Sequence, residues 1–357
     1  MDRFVPSVGF VVAGLGIAAS FLEWTGASGS GAVGNVPGLA MALLATVAFA
    51  ARRYDLADRR LAILAGLASG GLALAASVAL LAPAEAGEAV SLGPGMPLAF
   101  VLGVVGVGVA YADYLEVPPR AFLRKATGSM VALGIGFLGL LLGSLVASIG
   151  VSILRPENLV VRQGMKTVLF SVALAFVAIG YLLTRGLGIE YIDVRWPTRR
   201  GWLYAVGGVV GMFVVLLVVG LFASWLGVPQ AKHGLVEAAR GSPSLLLWFV
   251  PLSWLAIGPG EELLMRNVVQ KYLYESFSRR SAVLVATIVF ASMHLLAYWT
   301  AGPAAVFATL VRLFAVSLVL GIVYERTDNV VVAALVHGTF NAVQFGLAYV
   351  ALTSGMM

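Results

Sequence analysis

Long apolar runs alternate with short polar connections along the whole chain. Eleven apolar segments stand out, at about 7–22, 35–51, 61–82, 97–112, 128–150, 165–184, 202–227, 244–265, 281–298, 303–324 and 329–352. Each bilayer crossing needs ~20 mostly apolar residues, so each run is a candidate span. The pattern predicts an all-α polytopic membrane protein with about 11 transmembrane helices. The first run follows Arg3, and ten more apolar segments come after it. A retained first helix therefore fits better than a cleaved leader.

Composition supports the pattern. Hydrophobic residues make up 60% of the 357 and charged residues 11%, against roughly 25% charged in an average soluble domain. Cysteine is absent. That excludes disulfides, thiolate metal sites and a cysteine nucleophile. No Gly-rich phosphate loop occurs, which argues against ATP-driven transport by this chain alone.

The net charge of +6 sits in short loops, where it speaks of topology and not of nucleic acid. If every apolar run crosses, 17 Lys and Arg fall on the side of the N-terminus and 5 on the other, with Arg312 inside a run. The positive-inside rule then predicts a cytoplasmic N-terminus and an outer C-terminus, in a prokaryotic cell membrane. His233 falls in an outer loop, where it reads as a solvated residue.

Residues 1–125 read as a four-helix membrane unit without an assigned role, and 126–357 as the functional core. Within the first unit Pro37 recurs as Pro97 and Tyr54 as Tyr114, an offset of 60. Gly139-x-x-x-Gly143 and Gly207-x-x-x-Gly211 predict close helix approach.

Polar groups concentrate in the last hundred residues. Away from span ends, the ionisable residues within runs are Glu261, Glu262, Arg266, His294, Arg312 and His337. A charge at the bilayer centre costs roughly 2.5–3.5 kcal/mol on insertion scales, so these groups must be paired, near an interface or facing a wet cavity. Glu262 and Arg266 are four apart and share a helix face, as do His337 and Asn341, and Phe290 and His294. Glu261 points about 100° away from Glu262 and is left for chemistry. Taken singly, Glu262 with Arg266 is a structural ion pair and each histidine a packing residue. Three consecutive elements bearing such pairs argue for a site. Pro259, between Gly258 and Gly260, predicts a kink or a new helix start just before the glutamates.

These residues carry a family resemblance. Glu261-Glu262-Leu263-Leu264-Met265-Arg266 fits E-E-x-x-x-R, Phe290-Ala291-Ser292-Met293-His294 fits F-x-x-x-H, and His337-Gly338-Thr339-Phe340-Asn341 fits H-x-x-x-N. In this order they resemble the CPBP intramembrane proteases, which include CAAX prenyl endoproteases of the Rce1 type and proteins of bacteriocin processing and immunity. The resemblance covers roughly 125–357. Asn267 departs from it, because the family often has Gly after the arginine.

The resemblance implies an intramembrane endopeptidase acting on membrane-associated proteins or peptides within the lipid bilayer. Glu261 would activate water and His294 would hold it. His337 and Asn341 would stabilise the oxyanion, with Glu262 and Arg266 in support. Glu261, His294 and His337 could alternatively hold a divalent metal such as zinc. Asn341 suits a hydrogen-bond donor better than a zinc ligand, which favours the metal-free form. Two other readings use the same residues: a proton- or ion-coupled transporter, and a scaffold or immunity protein without hydrolysis. The position of the glutamates in their run predicts a site opening to the cytoplasm. His294 strains that expectation, being 13 residues past Ser281, or about 20 Å along a helix.

Overall fold

The computed structural model describes residues 3–26, 36–81, 95–228, 234–298 and 303–355. Among them there is no strand, and the protein is an all-α polytopic membrane protein. Nine of the described helices are long and apolar enough to cross a membrane. They are α1 (Phe4–Gly26), α2 (Val36–Arg53), α3 (Leu61–Leu81), α4 (Gly95–Tyr114), α5 (Pro119–Leu154), α6 (Leu159–Thr184) and α7 (Arg199–Trp225), then α10 (Pro303–Thr327) and α11 (Val330–Thr353). The other two apolar segments form α8, a helical run over residues 244–273 with changes of winding, and α9 (Arg279–Met293). These two carry Glu261, Glu262, Arg266 and the approach to His294. His233 lies outside the described residues.

The chain divides into two compact units. One comprises Met1–Ala126, Gly227–Pro229 and Gly302–Ala308, the other Thr127–Leu226, Gln230–Ala301 and Thr309–Met357. In the first, α1 to α4 form a ring in which each helix packs on two others. Its core is built largely of alanine, with Ala45, Ala48, Ala65, Ala68 and Ala110 around Phe49. Small residues allow the backbones to approach, as is usual between helices in lipid. A Cβ on Gly103 would lie 2.7 Å from the Ala73 nitrogen.

The sequence repeat has a structural counterpart shifted by one residue. Asp55 and Glu116, 61 apart, both take left-handed backbone angles, with φ of 56° and 51°. The amide of Leu56 donates to the Ala51 carbonyl, as Val117 does to Ala112, each at 2.9 Å. Both helices therefore end in a Schellman turn. Arg52, assigned to a loop by sequence, is instead buried. It holds Asp113 through two hydrogen bonds of 2.9 Å.

In the second unit the backbone stays helical through Pro259, so the expected new helix start is not what forms. Two wide π-type turns, Ser253–Ile257 and Leu263–Gln270, flank a regular turn at Gly258–Glu262. Proline lacks an N–H and crowds the carbonyl four residues back. Widening the preceding turn relieves that crowding without ending the helix. Such turns are rare and recur at functional sites.

Glycines set how closely α8 can be approached. A Cβ on Gly258 would lie 2.6 Å from the Ala334 carbonyl of α11, and one on Gly338 would lie 2.7 Å from the Ser253 carbonyl. A Cβ on Gly260 would meet Ser171 of α6 at 2.8 Å. Of the two spaced glycine pairs, Gly139 and Gly143 do face neighbours closely, Leu264 at 2.4 Å and Phe170 at 2.6 Å. The second pair does not behave as expected. Gly207 meets nothing within 4 Å, and its neighbour Gly208 makes the close approach, to Val323 at 2.9 Å. The contact face of α7 is turned by one residue from the motif.

Candidate active site

Glu262 sits at the centre of the site and is wholly buried. Its Oε2 accepts from Arg266 Nε at 2.9 Å, and its Oε1 lies 2.8 Å from His337 Nδ1. The first contact is within α8, at the expected spacing of four. The second joins α8 to α11, and the close packing at Gly258 and Gly338 makes it possible. A carboxylate only accepts, so His337 donates its Nδ1–H to Glu262. Nε2, on the far side of the ring, is left for other partners.

Arg266 is also wholly buried. One terminal nitrogen donates to Ser317 Oγ at 2.9 Å, the other to Gln270 Oε1 at 3.5 Å, and its guanidinium lies 5.5 Å from the Phe290 ring centre. Gln270 donates to the Gly321 carbonyl at 3.0 Å and to Tyr274 Oη at 2.9 Å. Glu262, Arg266 and Gln270 thus form a polar ladder along one face of α8, which Tyr274 continues just past its end. Satisfying every rung is what makes so much buried polarity tolerable.

His294 caps the end of α9, and its Nδ1 lies 2.9 Å from the Phe290 carbonyl. A carbonyl accepts, so Nδ1 carries the proton and Nε2 presents a lone pair. The Phe290 and His294 rings are 4.7 Å apart, as the shared face predicts, and the His337 ring is 6.4 Å from Phe290.

A cavity of about 840 Å³ brings the candidates together. Glu261, His294, His337 and Asn341 all line it, with Phe290 and Tyr298 beside them. Glu262 and Arg266 lie behind this wall. Arg312, which no motif covers, lines the cavity too, together with Lys166 and Gln163 of α6. Tyr298 is within electrostatic reach of both Arg312 and Glu261. An arginine inside an apolar run is the one sequence signal that marked Arg312.

Consecutive spans run antiparallel, so helix ends sort into two faces. The lining reaches Ser148 near the end of α5, Gln163 near the start of α6, Glu237 before α8 and Ala348 near the end of α11. All approach the face away from the basic loops. Towards the basic face lies the ladder of α8. A second polar cluster joins α8 to the loop of residues 185–198. Asn267 Oδ1 accepts from the Asp193 amide at 2.8 Å, Tyr324 Oη donates to Asp193 Oδ2 at 2.6 Å, and Lys271 Nζ reaches the same oxygen at 2.9 Å. Asn267, where the resembling family often has Gly, is wholly buried and ties this loop to α8. Burial pushes the Tyr191 phenol of the loop well above its ordinary value.

The residues do not assemble a metal-binding set. Among the described residues no group of three or more His, Asp or Glu converges as metal ligands. Glu261, His294 and His337 share the cavity, and both histidines are held through Nδ1, which leaves each Nε2 facing other partners.

Residues 243–343 match the type II CAAX prenyl endopeptidase Rce1-like family. Over this stretch, less than a third of the chain, the protein is similar to that family. The matched stretch begins at the start of α8 and ends two residues past Asn341, so all six candidate residues fall within the match. The match supports a membrane-protease function in general terms. No curated protein and no solved structure matches the chain significantly.

Proposed function

We propose that the protein is an intramembrane endopeptidase that hydrolyses peptide bonds of membrane-associated polypeptides with a water activated by Glu261. One observation carries this reading: Glu261, His294, His337 and Asn341, from three separate helices, line a single cavity. In this reading residues 126–357 are the proteolytic core and 1–125 an appended unit.

The chemistry follows from the groups. Glu261 takes a proton from water while His294 Nε2 accepts the water's other hydrogen. The water oxygen bonds to the carbonyl carbon, and the carbonyl electron pair moves to oxygen. That oxyanion accepts from the Asn341 amide and from His337 Nε2–H in the protonated ring. Glu262 holds the same ring at Nδ1 and is itself held by Arg266. When the C–N bond breaks, the leaving amine takes the proton from Glu261. Donors aimed at developing charge are commonly worth 10²–10³ in rate each.

The test compares peptide termini in membranes of cells carrying wild type and Glu261→Gln. New termini in wild type alone support the reading and name the substrates. Identical termini at equal expression overturn it and favour a scaffold or a transporter.

A further inference from the structure

We infer that Arg312 receives a carboxylate of the substrate close to the scissile bond, and so selects polypeptides that present an acidic side chain or their own C-terminus there. The inference rests on the peptidase reading for the bond that is cut, but not for what the cavity binds. The placement of Arg312 carries it. Arg312 lies within α10, nine residues from Pro303 and fifteen from Thr327, about 14 and 22 Å along the helix. A charge so far inside an apolar run is unfavourable unless it faces a wet cavity or a counter-charge. Arg312, Val316 and Leu320, at a spacing of four, turn one face of α10 to the cavity.

The charges around the cavity agree. Lys166 and Arg312 line it together with Glu237 and Glu261. Glu237 is matched by Arg240 at 2.9 Å, and behind the wall Glu262 is matched by Arg266 at 2.9 Å. Among the described lining residues this sets two cations against Glu261, and a substrate carboxylate restores the balance. Lys166 is exposed and Arg312 half-buried. Salt and water screen a buried charge less, so Arg312 discriminates more strongly between substrates. Its planar guanidinium also matches a carboxylate through two parallel N–H···O bonds, which an ammonium cannot do. Tyr298 is within electrostatic reach of both Arg312 and Glu261. The cation therefore stands near the group that activates water, and a carboxylate held by it lies close to the carbonyl under attack.

Binding tests this without turnover. The full chain carrying Glu261→Gln, purified in detergent, is compared with the same chain carrying Arg312→Gln as well. Each is incubated with pooled short synthetic peptides, with and without one Asp or Glu, made once with a free C-terminus and once amidated. Retained peptides are counted by mass spectrometry. The Arg312 protein should retain carboxylate-bearing peptides about tenfold or more over the rest, the least expected of charge-assisted hydrogen bonds. Arg312→Gln should erase that preference while changing retention of amidated peptides without Asp or Glu by less than about twofold. A preference that survives amidation assigns the carboxylate to a side chain, and one lost on amidation assigns it to the C-terminus. Arg312→Lys, which keeps the charge without the fork, should keep part of the preference. Arg312→Met, suited to an apolar run, is the second variant should Arg312→Gln fold poorly. No preference in the Arg312 protein, or the same preference after its substitution, overturns the inference. A peptidase failure shows in the peptide termini of cells carrying wild type and Glu261→Gln, and a wrong subsite shows in the binding alone.

Discussion

Glu262 holds Arg266 with one carboxylate oxygen at 2.9 Å and His337 with the other at 2.8 Å, and none of its side chain meets solvent. One buried anion thus braces two cationic or proton-bearing groups from two helices. Removing it leaves the Arg266 charge without its compensating anion, and breaking a buried pair in this way costs about 3–5 kcal/mol. Glu262→Gln should therefore unfold at markedly lower temperature in detergent than wild type. Glu261→Gln, whose carboxylate faces the cavity, should unfold near the wild-type temperature while losing about 10³-fold or more in activity. Thermal unfolding and turnover measured on the same two preparations separate these roles. Equal destabilisation of both variants would sink the division.

Asn341 lies one turn beyond His337 and faces the same cavity. Asn341→Ala should lower kcat by about 10²–10³ with little change in KM, the signature of an interaction made mainly in the transition state. A rise in KM at constant kcat would instead make Asn341 a substrate-binding residue.

Gly338 and Gly258 are places where α8 and α11 touch backbone to backbone. Their added Cβ atoms would meet carbonyl oxygens at 2.7 and 2.6 Å, and a backbone atom cannot swing aside as a side chain can. Gly338→Ala should cost at least about 1–3 kcal/mol, the usual range for overpacking. It should also lengthen the Glu262–His337 contact and reduce activity. Gly207→Ala, with nothing within 4 Å, should leave both properties unchanged. Unfolding curves and initial rates for the two alanine variants provide the comparison.

Activity should survive exhaustive dialysis against a chelator, because the cavity gathers no three His, Asp or Glu side chains as ligands among the described residues. Loss of activity restored by zinc would move the water-activating role from Glu261 alone to a metal.

Much of this protein was legible before folding. Apolar runs of bilayer length set the helices, because only a helix satisfies its own backbone polar groups in lipid. The spacing of four set the Glu262–Arg266 pair and the Phe290–His294 stack, since both depend only on local helix geometry. Three motifs in order pointed to the family that the match over residues 243–343 supports. What depends on distant residues was not legible. Nothing local says that Glu262 meets His337, 75 residues away. The same holds for Arg52 meeting Asp113 and for Asn267 tying down the loop at Asp193. The winding of α8 around Pro259 also needed the fold, because neighbours on α6 and α11 keep the helix continuous where proline alone would break it. Position along one helix gives depth, but which end is open depends on how the other helices fill the space. Here a buried polar ladder fills the end near the basic loops.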